Sequence, residues 1–99
     1  MELIFEWDRN KAKSNLRKHK ISFDEAKTVF HDDSLVTFLD TFHSDREDRF
    51  ISIGVSVNGR LLLVVHTETA KKMREAFVIR IISCRGATAS ERKQYEKGK

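Results

Sequence analysis

Phe50-Ile51-Ser52-Ile53-Gly54-Val55-Ser56-Val57-Asn58-Gly59-Arg60-Leu61-Leu62-Leu63-Val64-Val65-His66-Thr67 reads as two extended runs joined by a turn. The first run alternates, with Ile51, Ile53, Val55 and Val57 on one face and Ser52, Gly54 and Ser56 on the other. A strand places successive side chains on opposite faces, so this period predicts a strand. Asn58-Gly59 is the strongest hairpin signal in the chain and predicts a two-residue loop with positive φ at both central positions. Leu61 to Thr67 is then its antiparallel partner, and the fold is built around a sheet.

On the N-terminal side, Val36 to Leu39 predicts another strand, followed by a polar loop from Thr41 to Asp48. On the C-terminal side, Thr69 to Glu75 reads as a charged loop and Phe77 to Cys84 as a last strand. Thr88 and Glu91 have capping-box spacing, which predicts a helix from Thr88 to Lys97. At the start of the chain, Leu3 to Trp7 predicts a short strand and Asp8 caps a helix running to about His19. Ser22 and Glu25 repeat the capping-box spacing, and Phe23, Ala26, Val29 and Phe30 recur at helical period to about His31. Trp7 reads as a core anchor. The order is β-α-α-β-β-β-β-α: an α+β domain with an N-terminal strand and a two-helix hairpin packed on an antiparallel meander, closed by a C-terminal helix.

The 99 residues predict one domain, 1–99. The longest apolar run, Leu61 to Val65, has five residues, far short of the ~20 that span a bilayer. Glu2, Glu6 and Asp8 break up the N-terminus, so no signal-peptide pattern is present and a cytoplasmic location is expected, with no membrane partner. Cys84 is the single cysteine, and the four histidines lack paired i, i+4 spacing, so neither a cofactor nor a metal is expected. Net charge is +3 over residues 1–20, −5 over 21–50 and +6 over 51–99. Basic ends and an acidic middle suit one anion-binding face and a separate acidic surface.

Arg80-Ile81-Ile82-Ser83-Cys84-Arg85 carries one arginine inside an apolar strand and a second at its exit. Guanidinium groups are costly among isoleucines unless an anion or carboxylate meets them. Each offers a planar fork matched to phosphate oxygens, so the pair points to a nucleic-acid backbone. Positions 80 and 85 have opposite parity, so both reach one phosphate only if the strand bulges or ends before Arg85. The alternative for Arg80 is a structural ion pair with Glu47. Lys18 and His19 close the first helix, where the dipole favours a protonated imidazole. His66 reads as a hydrogen-bonded sheet histidine. Tyr95 either stacks on a base or packs its helix on the sheet.

Phe5-Glu6-Trp7-Asp8 with Lys11, Asn15, Lys18-His19, Phe23 and Glu25-Ala26 resembles the opening of BrnT-type toxins. Glu47, Arg49-Phe50, Ile53-Gly54, Gly59-Arg60, Arg80-Ile81-Ile82-Ser83, Arg85, Ala87 and Glu91 continue that resemblance over nearly the whole chain. It implies a RelE-like fold and endoribonuclease activity. It also implies neutralisation by a cognate antitoxin with a ribbon-helix-helix DNA-binding domain, in a heterotetramer that meets operator DNA only through the antitoxin. Metal-free RNA cleavage needs a base for the 2′-hydroxyl, cations for the developing phosphorane charge and an acid for the leaving 5′ oxygen. The expected catalytic set is Arg80, Arg85, His19, Lys18 and Glu47, with Glu47 as base or as the carboxylate that aims the arginines. Arg49, Arg60 and Tyr95 are the expected RNA contacts. A non-catalytic nucleic-acid-binding module or a protein-interaction scaffold would use the same basic face.

Three positions depart from the family pattern. Lys20 stands where Gly is frequent, at the end of the first helix; a left-handed lysine there costs about 1 kcal/mol relative to glycine. Gly86 stands where a basic residue follows the arginine. The segment Glu68 to Phe77 is longer than usual.

Overall fold

A computed structural model describes residues 2–44, 47–71 and 75–98. In chain order these form β1 (Glu2–Trp7), α1 (Arg9–His19), α2 (Phe23–Ala26) continued by a 3-10 turn (Lys27–His31), β2 (Val36–Leu39), β3 (Phe50–Val55), β4 (Leu61–Lys71), β5 (Ala76–Gly86) and α3 (Ala89–Lys97). The strands make one five-stranded sheet in the order β1-β5-β4-β3-β2. β2 to β5 are the expected antiparallel meander. β1 adds to its edge in parallel with β5, Glu6 opposite Arg80 and Trp7 opposite Ile81. Among the described residues, no helix is long and apolar enough to cross a membrane.

Local chemistry accounts for the element boundaries, and in four places it differs from the sequence expectation. Asp8 accepts the Lys11 N–H at 2.9 Å and starts α1. Ser22 accepts the Glu25 N–H at 3.0 Å, but the Glu25 side chain does not return to close a capping box; it serves Arg60 and Ser56 instead. The second helix tightens after one α-turn into 3-10 geometry. The hairpin is not a two-residue loop. The Gly59 N–H bonds Ser56 O at 2.9 Å and the Ser56 N–H bonds Arg60 O at 2.8 Å. Gly59 has φ +80° and Asn58 is not left-handed, so the turn is a three-residue loop with the glycine in the bulge position. Strand β4 runs on to Lys71, absorbing the start of the expected charged loop. Asp45 and Arg46 of the loop before β3, and Lys72 to Arg74 of the long β4–β5 segment, lie outside the described residues.

Lys20 occupies the left-handed cap as expected, with φ 61°, ψ 30° and its N–H on Leu16 O. Lys20→Gly relieves the Cβ strain and raises stability by about 1 kcal/mol. Urea denaturation of the variant beside the natural chain measures it.

Both faces of the sheet are covered, which explains why a run with a serine-rich side still forms a central strand. On one face Ile21, Phe23, Ala26 and Val29 pack on Leu62, Val64, Ile79, Ile81 and Cys84. Trp7 joins them edge-to-face with Phe23, centroids 5.8 Å apart. Ser52 and Gly54 lie buried on β3. A Cβ on Gly54 would sit 2.8 Å from Leu35 Cδ1 and 3.2 Å from Val29 Cβ and O, so a side chain here displaces Leu35 and crowds Val29. On the other face Ile53, Leu61 and Leu63 bury Tyr95 of α3. Helix α3 covers part of this second face and leaves the rest as a cleft.

Candidate active site

The cleft lies on the second face of the sheet, beside the part that α3 covers. Its floor is Ile51, Val65 and Ser83, one wall is α3 with Thr88, Glu91 and Gln94, and the other is the C-terminal end of α1 with Lys18 and His19. Arg85 lies within it, and the space measures about 650 Å³.

What brings α1 to this edge is Asn15. β1 ends at Trp7 opposite Ile81, so further along β5 the sheet edge has no strand neighbour. The buried Asn15 amide substitutes for one: Oδ1 accepts the Cys84 N–H at 3.0 Å and Nδ2 donates to Cys84 O at 2.9 Å. Nδ2 also donates to Ile21 O at 3.1 Å, tying the α1–α2 link to the same point. Lys18 and His19, one turn later, are thereby held at the cleft. Asn15 is absent from the expected site residues because its role depends on where β1 stops.

Arg85 is fixed by a carboxylate. Nη1 and Nη2 donate to Glu91 Oε1 and Oε2, both at 2.8 Å, and Nη1 also meets Gly86 O at 3.2 Å. Glu91 Oε1 accepts the Thr88 N–H at 2.9 Å, so the capping box of α3 and the arginine share one side chain. The Arg85 fork, with Thr88 behind it, holds the Glu91 carboxyl below the usual range, and the Arg85 guanidinium is strengthened in return. Three of the five guanidinium N–H groups are used, and the Nε–Nη2 edge remains as a two-donor fork.

Arg80 is placed differently. Val65 pairs with Ser83 but His66 pairs with Ile81, so Ile82 is an extra residue on β5 and the strand bulges there. The bulge reverses parity and puts Arg80 and Arg85 on the same sheet face. They nevertheless sit apart, opposite Thr67 and Leu63, four residues along β4 and so about 13–14 Å. Arg80 does not line the cleft, and its Nη1 bonds Glu6 Oε2 at 2.8 Å on β1. Arg80, expected beside Arg85 at the scissile phosphate, thus stands outside the cleft, and in place of the alternative ion pair with Glu47 the parallel β1–β5 register supplies Glu6. Glu47 is exposed in the loop before β3 and does not line the cleft. Arg49 is half-buried at the start of β3, its carbonyl bonded to the Asp40 N–H at 2.8 Å.

Two of the expected RNA contacts have structural partners. The Arg60 Nε donates to Glu25 Oε2 at 2.9 Å and its Nη2 bonds Glu25 Oε1. With the Ser56 hydroxyl at 2.7 Å, this pair ties α2 to the β3–β4 turn. The Tyr95 ring is buried and its hydroxyl donates to Asp32 Oδ2 at 2.7 Å, so packing and not base stacking occupies it.

Arg60 lowers the Glu25 carboxyl from 4.5 to about 2. A depressed carboxylate stabilises the fold above its unfolded value and loses that contribution as pH falls toward its folded one. Glu25→Gln therefore destabilises the domain at neutral pH by about 1–2 kcal/mol. That gap narrows as pH falls from 4.5 toward 2, which paired urea titrations would follow.

Two further buried titratable groups, His66 and Cys84, are packing elements. His66 is fully buried, Nε2 2.7 Å from Ser52 Oγ, with Phe30 and Phe50 against its ring. Its Nδ1 has no hydrogen bond and lies 3.9 Å from Glu68 Oε1, so this sheet histidine is half-satisfied. Burial lowers its pKa to about 4 and keeps it neutral. Burial raises the Cys84 thiol to about 12, which removes it as a nucleophile. Among the described residues, no three His, Cys, Asp or Glu side chains cluster as metal ligands.

Residues 7–91 match the family model of the BrnT ribonuclease toxin of type II toxin-antitoxin systems. The fold is similar to a 1.1 Å crystal structure of the Brucella abortus ribonuclease toxin BrnT, with TM-score 0.61 and 21% identity. That match covers 89% of this chain and 99% of the other. No curated protein matches the chain. With 7–91 of its 99 residues inside the family model, the chain belongs to the BrnT family of ribonuclease toxins of type II toxin-antitoxin systems.

Proposed function

We propose that this chain cleaves RNA, without a metal, in the cleft between α1, β5 and α3. The observation that carries the proposal is convergence: Lys18, His19 and Arg85 line one cleft, and a carboxylate fixes the arginine from behind. The free Nε–Nη2 edge of Arg85 receives two oxygens of the scissile phosphate and stabilises the charge that builds as the 2′-hydroxyl attacks. Lys18 adds a second positive charge at the helix end. His19 gives a proton to the departing 5′ oxygen, the only imidazole among the residues lining the cleft. Glu91 aims Arg85. Glu47, the expected base or positioning carboxylate, does not line the cleft, so the 2′-hydroxyl proton passes to solvent water as that oxygen attacks phosphorus.

The toxin acts in the cytoplasm and is neutralised by a cognate antitoxin carrying a ribbon-helix-helix domain, in a heterotetramer that reaches operator DNA through the antitoxin. Support comes from the family membership. The test is cleavage of a defined RNA by the purified chain in EDTA. Cleavage in EDTA upholds the metal-free mechanism, and cleavage abolished by EDTA and restored by a divalent ion overturns it. RNA that binds with steep salt dependence and stays intact would make the chain a binding module.

A further inference from the structure

We infer that Arg80 is a second phosphate site, separate from the cleft, that holds the RNA backbone to one side of the scissile bond; this rests on the ribonuclease reading above. The bulge at Ile82 is the first support, because it turns Arg80 onto the same face as the cleft. Without the bulge Arg80 would fall on the sheet face opposite Arg85, the one that Ile21 and α2 cover.

The second support is the surface between the two arginines. The cleft floor at Val65 and Ser83 is the cross-strand row next to Thr67 and Arg80, and Arg85 belongs to the row on the other side. The path from Arg85 over Ser83 to Arg80 thus runs along one strand face, with the Thr67 position beside it. A gap of about 13–14 Å is far beyond the ~2.8 Å of one charge-assisted hydrogen bond. As the side chains stand, the forks turn apart, one toward Glu91 and the other toward Glu6. Two phosphates of one strand fit this spacing better than one.

The third support is spare donors. Arg80 is 45% exposed and makes one side-chain hydrogen bond, to Glu6, leaving four of its five N–H groups. An exposed pair of this kind contributes ~1 kcal/mol or less to the fold, so a phosphate can compete for the guanidinium. Glu6 has two opposing effects: it orients Arg80 and repels an incoming phosphate. Removing its charge therefore favours RNA, whereas removing Arg80 disfavours it.

That opposition defines the experiment. Binding of a single-stranded oligouridylate of about a dozen nucleotides is measured across a salt series for the natural chain, Arg80→Ala and Glu6→Gln. Arg80→Ala should weaken binding about tenfold at low salt and reduce the slope of log K against log salt by about 0.7, one phosphate's share. Glu6→Gln should tighten it. Thermal unfolding of all three proteins controls for folding, since a purely structural ion pair would move both variants the same way. Unchanged affinity and slope in Arg80→Ala overturn the second site, as does weaker binding in Glu6→Gln. Loss of oligomer binding in Arg80→Ala from a chain that never cuts RNA supports this site while refuting the ribonuclease reading. Cleavage with Arg80→Ala binding as the natural chain does the reverse.

Discussion

Asn15→Leu should lower the unfolding midpoint by roughly 15–30 °C, the largest stability effect expected of any single substitution at this site. The substitution leaves the Cys84 N–H and the carbonyls of Cys84 and Ile21 without their partner. Each buried backbone group left unpaired costs ~1–3 kcal/mol, so the total is about 4 kcal/mol. In a domain of this size that corresponds to the stated shift at ~4–8 °C per kcal/mol. Asn15→Asp is a sharper variant, because it keeps the acceptor for Cys84 and turns both donations into carboxylate–carbonyl repulsion. The neighbouring Leu16 supplies the control: it is 49% exposed, and Leu16→Ala should change stability by ~0.5 kcal/mol or less. Calorimetry of the three variants decides the matter, and an Asn15→Leu midpoint within a few degrees of the natural chain refutes the strand-substitute role. The effect also reaches the chemistry. Asn15 anchors the helix that carries Lys18 and His19 to the strand that carries Arg85, so any variant that folds should cleave more slowly.

Asn15 also marks how far the sequence could be read. Features with local causes are legible: the caps at Asp8 and Thr88, the period of β3 and the exit of β5 beside α3, whereas the left-handed Lys20 follows only from the glycine frequent there in the family. The sequence also requires the strand to bulge or end before Arg85 if both arginines are to reach one phosphate; the strand bulges, yet the two stay four residues apart along β4. Partnerships between distant segments were not legible. Glu6 meets Arg80 because β1 adds in parallel to β5, and Glu25 meets Arg60 because α2 packs against the β3–β4 turn. Neither follows from spacing, so the sequence offers Glu47 only as an alternative partner for Arg80 and places Arg60 among the RNA contacts. Tyr95 had two readings of equal local merit, and the acceptor that decides between them is Asp32, 63 positions away. Glu91 was seen as a cap, and its second duty on Arg85 follows once β5 delivers that side chain to the first turn of α3.

Arg85→Ala should reduce RNA cleavage by about 10²–10³-fold while leaving a folded protein. That range is the cost of deleting one preorganised donor to developing oxyanion charge. Arg85→Lys should recover little of it, because an ammonium is a point charge and cannot present the two-donor Nε–Nη2 edge. Glu91→Gln is the informative partner. Its amide accepts one hydrogen bond where the carboxylate accepts two, so the guanidinium loses its fixed plane and cleavage should fall about tenfold. A glutamine also supports the capping position, so α3 should lose under 1 kcal/mol. If Glu91 acts only by aiming Arg85, Glu91→Gln has no further effect on cleavage in the Arg85→Ala background, and the double-mutant cycle reads that coupling directly. Additive losses in the cycle would instead make Glu91 an independent participant. Arg85→Ala that folds, binds RNA and cuts at the natural rate removes the arginine from the reaction and with it the cleft as the place of cleavage.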